Sequence, residues 1–291
     1  MSDRQIKNAF DIEKHAVDTW IEAEKNKYVG CYDYSSDDEQ FEEPRQVFVT
    51  KEMSVNNLAG CTFENAERLA VLKIDLPRIS DAAIDWLTAF ATNSNAALHT
   101  VYFETTCITP LPLELWDLPC LVTVQDSFFH QNLAHLTVAL SRSTHITNLT
   151  CTLEHEPEKE DVDSFATMLA ENTTLNVFSV TVDSDNTNVN RIVAALVNHK
   201  TITHIDIILA AHQLCFTYSE LTQSLIPLLD ATTLQSLQST LQTLTIDLSD
   251  AMADEFDESD FGGLCDAARK SHIRVSFVGR GCGNLNKLTQ L

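Results

Sequence analysis

Two apolar periods alternate along the middle of the chain. Where the period is two, four segments superimpose without gaps: Ile146-xx-Leu149-x-Cys151-x-Leu153, Leu175-xx-Phe178-x-Val180-x-Val182, Ile202-xx-Ile205-x-Ile207-x-Leu209 and Leu241-xx-Leu244-x-Ile246-x-Leu248. Leu69-xx-Leu72-x-Ile74-x-Leu76 fits the same template. Leu98-xx-Val101-x-Phe103 and Leu121-xx-Val124 are shortened copies, and Ile273 to Phe277 is a worn last one. A period of two is that of a strand with one buried face, and Thr, Asn, Ser and Asp fill the other face here. Between the strands the period becomes helical, as in Ile84/Leu87, Leu133/Leu136/Leu140, Phe165/Leu169, Ile192/Leu196, Leu221/Leu225/Leu228 and Phe261/Leu264. Successive first positions lie 29, 23, 25, 29, 27, 39 and 32 residues apart, which predicts one strand and one helix per unit.

Asn95, Asn172 and Asn198 stand where the helices should end, and asparagine tolerates the left-handed conformation that closes a helix. A single unit of this kind cannot bury its own apolar face, so the units must stack. The motifs Leu169-Ala170-Glu171-Asn172-Thr173-Thr174-Leu175 and Ala195-Leu196-Val197-Asn198-His199-Lys200-Thr201-Ile202-Thr203-His204-Ile205-Asp206-Ile207 carry a family likeness. With them, residues 65–279 resemble the leucine-rich-repeat family, in particular its ribonuclease-inhibitor-like branch. That resemblance implies an α/β fold, a horseshoe solenoid of about eight units with parallel concave strands and outer helices. The chain departs from the family where an asparagine normally follows the strand. Those positions hold Pro77, Glu154, Asp183, Ala210 and Ser249.

The two ends read differently. Residues 1–27 pattern as an amphipathic helix, with Ile6, Phe10, Val17, Trp20 and Ile21 on one side, suited to cap the first unit or to dock a partner. Residues 28–64 read as an acidic linker, with Asp37, Asp38, Glu39, Glu42 and Glu43 ahead of Pro44. The tail 280–291 reads as frayed.

Charge changes the functional picture. There are 42 acidic residues against 19 basic ones, a net charge of −23, which repels nucleic-acid phosphates and anionic lipid and predicts a basic protein partner. No stretch has the run of about 18 apolar residues that a membrane span needs, and the first ten residues do not read as a signal peptide. Eight scattered cysteines without Cys-x-x-Cys point to a reducing, cytoplasmic compartment. No glycine occurs between Gly60 and Gly262, so the repeats hold no glycine-rich phosphate cradle. None of the histidines forms a His-x-x-x-His pair, and the reading carries no metal, no cofactor and no catalytic residue.

What remains is binding. Strand positions facing away from the core give concave candidates: Lys73, Asp75, His99, Tyr102, Glu104, Thr150, Thr181, His204, Asp206, Thr245 and Asp247. His99 and His204 are expected at adjacent ladder positions, and Tyr102 is the expected anchor, since tyrosine is enriched at hot spots. Parallel strands send all their C-terminal loops to one edge, so an acidic rim is expected from Glu156, Glu158, Glu160, Asp254, Asp257 and Asp260. The leading function is a non-enzymatic scaffold that binds a basic protein through that face and rim. Two alternatives stay open: an enzyme with a spatially assembled site, and a pathogen effector acting on a host protein in the host cytosol. Thr289-Gln290-Leu291 also ends the chain as a carboxylate motif of the kind that sheet-edge pockets capture.

Overall fold

In a computed structural model the described residues are 52–61, 66–92, 96–126, 132–153, 159–182, 186–197, 199–209, 218–230, 240–248, 258–271, 273–279 and 282–289. The residues of the expected N-terminal helix lie outside this set. Strand and helix alternate as β1 (Glu52–Ser54), β2 (Val71–Ile74), α1 (Asp81–Ala91), β3 (Thr100–Phe103), α2 (Leu113–Trp116), β4 (Thr123–Asp126), α3 (Leu133–Arg142), β5 (Asn148–Leu153) and α4 (Lys159–Glu171). They continue as β6 (Val177–Val182), α5 (Asn186–Val197), β7 (His204–Leu209), α6 (Tyr218–Leu225), β8 (Thr243–Asp247), α7 (Gly262–Lys270), β9 (Arg274–Val278) and α8 (Gly283–Leu288).

Among the described residues all the strands join one nine-stranded parallel sheet in chain order. Each strand pairs in register with the next, so equivalent residues form straight rows across the sheet. Leu72, Val101 and Val124 begin the first core row, and Leu149, Phe178, Ile205, Leu244 and Val275 continue it. All of these residues are buried. At the entrances of β3 to β8 one carbonyl accepts two amides of the next unit: Thr147 O takes Asn176 N–H and Val177 N–H, and Asn176 O takes Thr203 N–H and His204 N–H. The repetition of this bond from unit to unit defines a repeat α/β solenoid.

The second core row contains a surprise. It runs Ile74, Phe103, Asp126, with Cys151, Val180, Ile207, Ile246 and Phe277 beyond. Asp126 is 5% exposed, and this carboxylate is why the β4 copy of the motif stops at Val124. Asn132, just ahead of α3, satisfies it: its N–H and Nδ2 donate to Asp126 at 3.0 and 2.7 Å. The same side chain then accepts from Cys107 N–H at 2.7 Å and donates to Thr105 O at 3.2 Å. An asparagine thus ties two neighbouring units together, but from the helix side of the loop and not from the position directly after the strand.

The turns that lead back into the strands are built by side-chain acceptors. Ser143 Oγ takes His145 N–H and Ile146 N–H, and Asn172 Oδ1 takes Thr174 N–H and Leu175 N–H. His199 Nδ1 takes Thr201 N–H and Ile202 N–H at 3.3 and 3.2 Å. Asn172 therefore serves this turn through its amide oxygen. Asn95 and Asn198 lie outside the described residues, and in the unit of Asn198 the described turn acceptor is His199.

His199 makes folding pH-dependent. Two N–H donors fix Nδ1 as the unprotonated nitrogen. Burial pushes the imidazole pKa down, with the Leu169 carbonyl opposing it. The unfolded chain therefore binds a proton more readily than the folded one, and stability falls as pH drops below about 6.5, the ordinary histidine value. His199→Asn keeps an acceptor but has no proton to take up. Urea denaturation at pH 7.5 and 5.5 should show a smaller loss on acidification for this variant than for the wild type.

Both ends correct the sequence-based boundaries. The stretch expected to be linker up to residue 64 already contains β1, followed by a 3-10 turn over Val55–Gly60. Met53, Val55 and Leu58 are buried in the core, so the sheet begins inside that stretch. The tail expected to fray instead carries α8, with Cys282 and Leu285 buried. Few but well-placed apolar residues anchor both segments, which composition averaged over the stretch conceals.

Candidate protein-binding face and acidic edge

The residues that alternate with the two core rows form the open face of the sheet. Its central row begins with Ser54, Lys73, Tyr102 and Gln125, and continues through Thr150, Ser179, Asp206, Thr245 and Ser276. Five candidates, Lys73, Tyr102, Thr150, Asp206 and Thr245, therefore share one line, and all are partly exposed. Ser54, Gln125, Ser179 and Ser276 belong to it too, outside the set of sequence-based candidates although the same alternation marks them. Hydroxyls link neighbouring strands along the row. Ser179 Oγ donates to Asp206 at 3.2 Å, and Ser276 Oγ lies 3.4 Å from Thr245 Oγ1.

Lys73 sits in a carboxylate clamp, 2.6 Å from Glu52 and 3.3 Å from Glu104. Burial lowers its pKa, but the hydrogen bond to Glu52 and the charges of Glu104 and Glu52 outweigh this, so the ammonium titrates above the usual lysine value. Burial and the Glu104 carboxylate raise the Tyr102 phenol, against the opposing pull of Lys73. Tyr102 is thus a neutral hydroxyl on a ring flanked by fixed charges. Asp75, one step past β2, accepts from Ser54 Oγ.

Two concave candidates need correction. Thr181 is 1% exposed, as is its row neighbour Thr152. At the C-terminal ends of β5 and β6 both sheet faces are shielded, so Thr181 offers no contact. His99 precedes β3 and is exposed, and its backbone stands in the entrance ladder beside Ala70 and Val122. His204 occupies the first position of β7, between Val177 and Thr243, so the two histidines do not share a row. His99 follows its motif's first position, Leu98, by one residue, whereas His204 follows Ile202 by two, which sets them one row apart. Asp247 pairs with Ile208 at the far side of the open face and is partly exposed.

The acidic edge stands on topology. Leu153 and Val182 are in register, and Leu248 N–H donates to Val278 O at the same end of the sheet. β5, β6 and β8 consequently end at one edge of the sheet, β5 and β6 as neighbours about 4.8 Å apart and β8 two strands beyond β6. Glu160 is exposed in the first turn of α4, where the helix dipole favours a carboxylate. Asp260 is half-buried in the 3-10 turn Glu258–Phe261, its carbonyl accepting from Thr222 Oγ1 at 2.8 Å. Glu156, Glu158, Asp254 and Asp257 lie outside the described residues. Among the described residues no group of three His, Cys, Asp or Glu is placed to hold a metal ion, and no helix is long and apolar enough to cross a membrane.

Cys107 and His135 meet through a backbone contact. His135 Nε2 lies 3.0 Å from the Cys107 carbonyl oxygen, while the thiol turns to Thr109 O at 3.4 Å. Burial raises the Cys107 thiol pKa and lowers that of His135, which disfavours the thiolate–imidazolium pair. Cys151 is fully buried in the second core row, and burial, with help from Asp126, lifts its thiol well above the normal range. It acts as a small apolar residue.

The fold thus defines a class, the repeat α/β solenoid with one open sheet face. No protein-family model matches the chain, and no curated protein matches it.

Proposed function

We propose that this chain is a leucine-rich-repeat scaffold that binds a basic protein without catalysing a reaction, holding it on the open sheet face with the acidic edge as its electrostatic guide. The observation that carries this reading is the common edge of Leu153, Val182 and Leu248, from which the acidic loops at 154–163, 183–188 and 250–260 depart. Charge gathered on one side of a stack raises the encounter rate of an oppositely charged partner more than it deepens the final complex. The open face supplies the fixed contacts: Tyr102 beside the clamped Lys73, then a line of hydroxyls and carboxylates out to Ser276. A stacked sheet changes little on binding, which lowers the ordering cost of association.

Affinity capture from lysate at low and high salt, followed by mass spectrometry, identifies the partner. Neutralising Glu156, Glu158, Glu160, Asp254, Asp257 and Asp260 together should then slow association with that partner about tenfold or more at low salt, with little change at high salt. Folding stability should stay level or rise, because like-charge repulsion is removed. An association rate indifferent to both salt and these substitutions would reduce the edge to a solubility device.

A further inference from the structure

β9 is the last strand of the sheet, and its outward backbone line is occupied by side chains. Asn286 Oδ1 accepts Phe277 N–H and Nδ2 donates to Phe277 O, both at 2.7 Å. Thr289 Oγ1 lies 3.3 Å from Val275 O and 3.0 Å from Asn286 O, sharing its one proton between the two carbonyls. Alternation puts the Val275 N–H on the same line, beside a cavity of about 270 Å³ lined by Arg274, Val275, Ser276, Asn286 and Thr289. At the other edge, β1 spans only Glu52–Ser54 among the described residues and carries the charged Glu52. Exposed edges are commonly blunted by proline, charged side chains or short length, and β9, Arg-Val-Ser-Phe-Val, has of these one charged residue, Arg274 at its entrance.

The four groups Val275 N–H, Val275 O, Phe277 N–H and Phe277 O are the set an antiparallel strand would use about a two-fold axis through Ser276. Val275 of one copy would exchange both bonds with Phe277 of the other. Ser276 would face Ser276, and Arg274 would face Val278, so no like charges meet. We propose that α8 is a clip that closes this edge, and that lifting Asn286 and Thr289 lets β9 pair antiparallel with β9 of a second copy.

The test uses the full chain with Asn286→Ala and Thr289→Val combined, and with Asn286→Asp alone as a milder variant that loses only the donor to Phe277 O. Light scattering behind size-exclusion chromatography should show a monomer for the wild type. The double variant should move to twice that mass as concentration rises, in moderate salt that screens the net charge. Amide exchange at Phe277 should quicken at least tenfold in dilute double variant and slow again in its dimer. Adding Ser276→Lys places two ammonium groups across the two-fold and should restore the monomer. A double variant that stays monomeric while Phe277 exchanges freely overturns the pairing. A dimer that survives Ser276→Lys overturns its location, and Phe277 protection unchanged in both variants overturns the clip.

Discussion

Truncating Phe178 to Ala is expected to lower the unfolding free energy by about 3–5 kcal/mol, a large share of the roughly 5–15 kcal/mol that holds a domain together. Phe178 is fully buried at the centre of the first core row, between Leu149 and Ile205. Its ring meets Phe165 of α4 at a centroid distance of 6.5 Å, tilted by 33°. Removing it leaves a void bounded by two strands and a helix, and their backbones are pinned by the ladder, so the walls cannot close in. In a stack, each unit is stabilised mainly by its neighbours, so the defect weakens both sides. Urea denaturation followed by circular dichroism gives the number, and Phe178→Leu should cost clearly less. A loss below about 1 kcal/mol would mean that the row is not continuously packed.

Asn132→Ala should be comparably damaging, at about 3 kcal/mol or more. The variant strips the Nδ2 hydrogen bond from a carboxylate in the core row and leaves it the backbone N–H bond alone. It also orphans the Cys107 N–H and the Thr105 carbonyl. Hydrogen bonds to charged groups contribute about 1.5–3 kcal/mol each, and buried groups left unpaired cost about 1–3 kcal/mol. Asp126→Asn combined with Asn132→Ala separates the causes: if the stranded carboxylate dominates, the double variant should recover much of the loss. Equal stability of the single and double variants would assign the damage to the Cys107 and Thr105 contacts. An exposed asparagine such as Asn176, whose Oδ1 accepts from Thr203 at the strand entrance, should cost under about 1 kcal/mol when changed to Ala.

The strands were the most legible part of this chain. Where the motif is complete, as in β5 to β8, apolar residues at alternating positions leave one way to bury them, and the sheet pairs them in that register. The shortened copy at Leu121-xx-Val124 already signalled that something replaces the next core residue. Sequence could not show that the substitute is Asp126, or that Asn132 six residues on would neutralise its desolvation. The turn acceptors were half visible: Asn172 stood out by residue type, while Ser143 and His199 do the same work with different chemistry. Open-face candidates followed from alternation, and most landed on one line. Thr181 failed because alternation reports which face a residue points to, and is silent on whether that face is reached by water.

What the sequence determined by itself is local and periodic. Strand and helix recur at a spacing that forces parallel stacking, and that stacking brings the C-terminal ends of the strands to one edge. Tertiary structure alone decided which distant groups meet. Lys73 is held by Glu52 from a segment whose composition reads as linker, Asn132 reaches back to Cys107, and Asn286 closes the sheet at Phe277. The physical reason is a difference in range. Apolar burial is non-directional and additive along a face, so a pattern of residue types is enough to specify it. A hydrogen bond or buried ion pair demands partners within about 3 Å at a particular angle, and that condition is met only once the stack has fixed where every backbone runs.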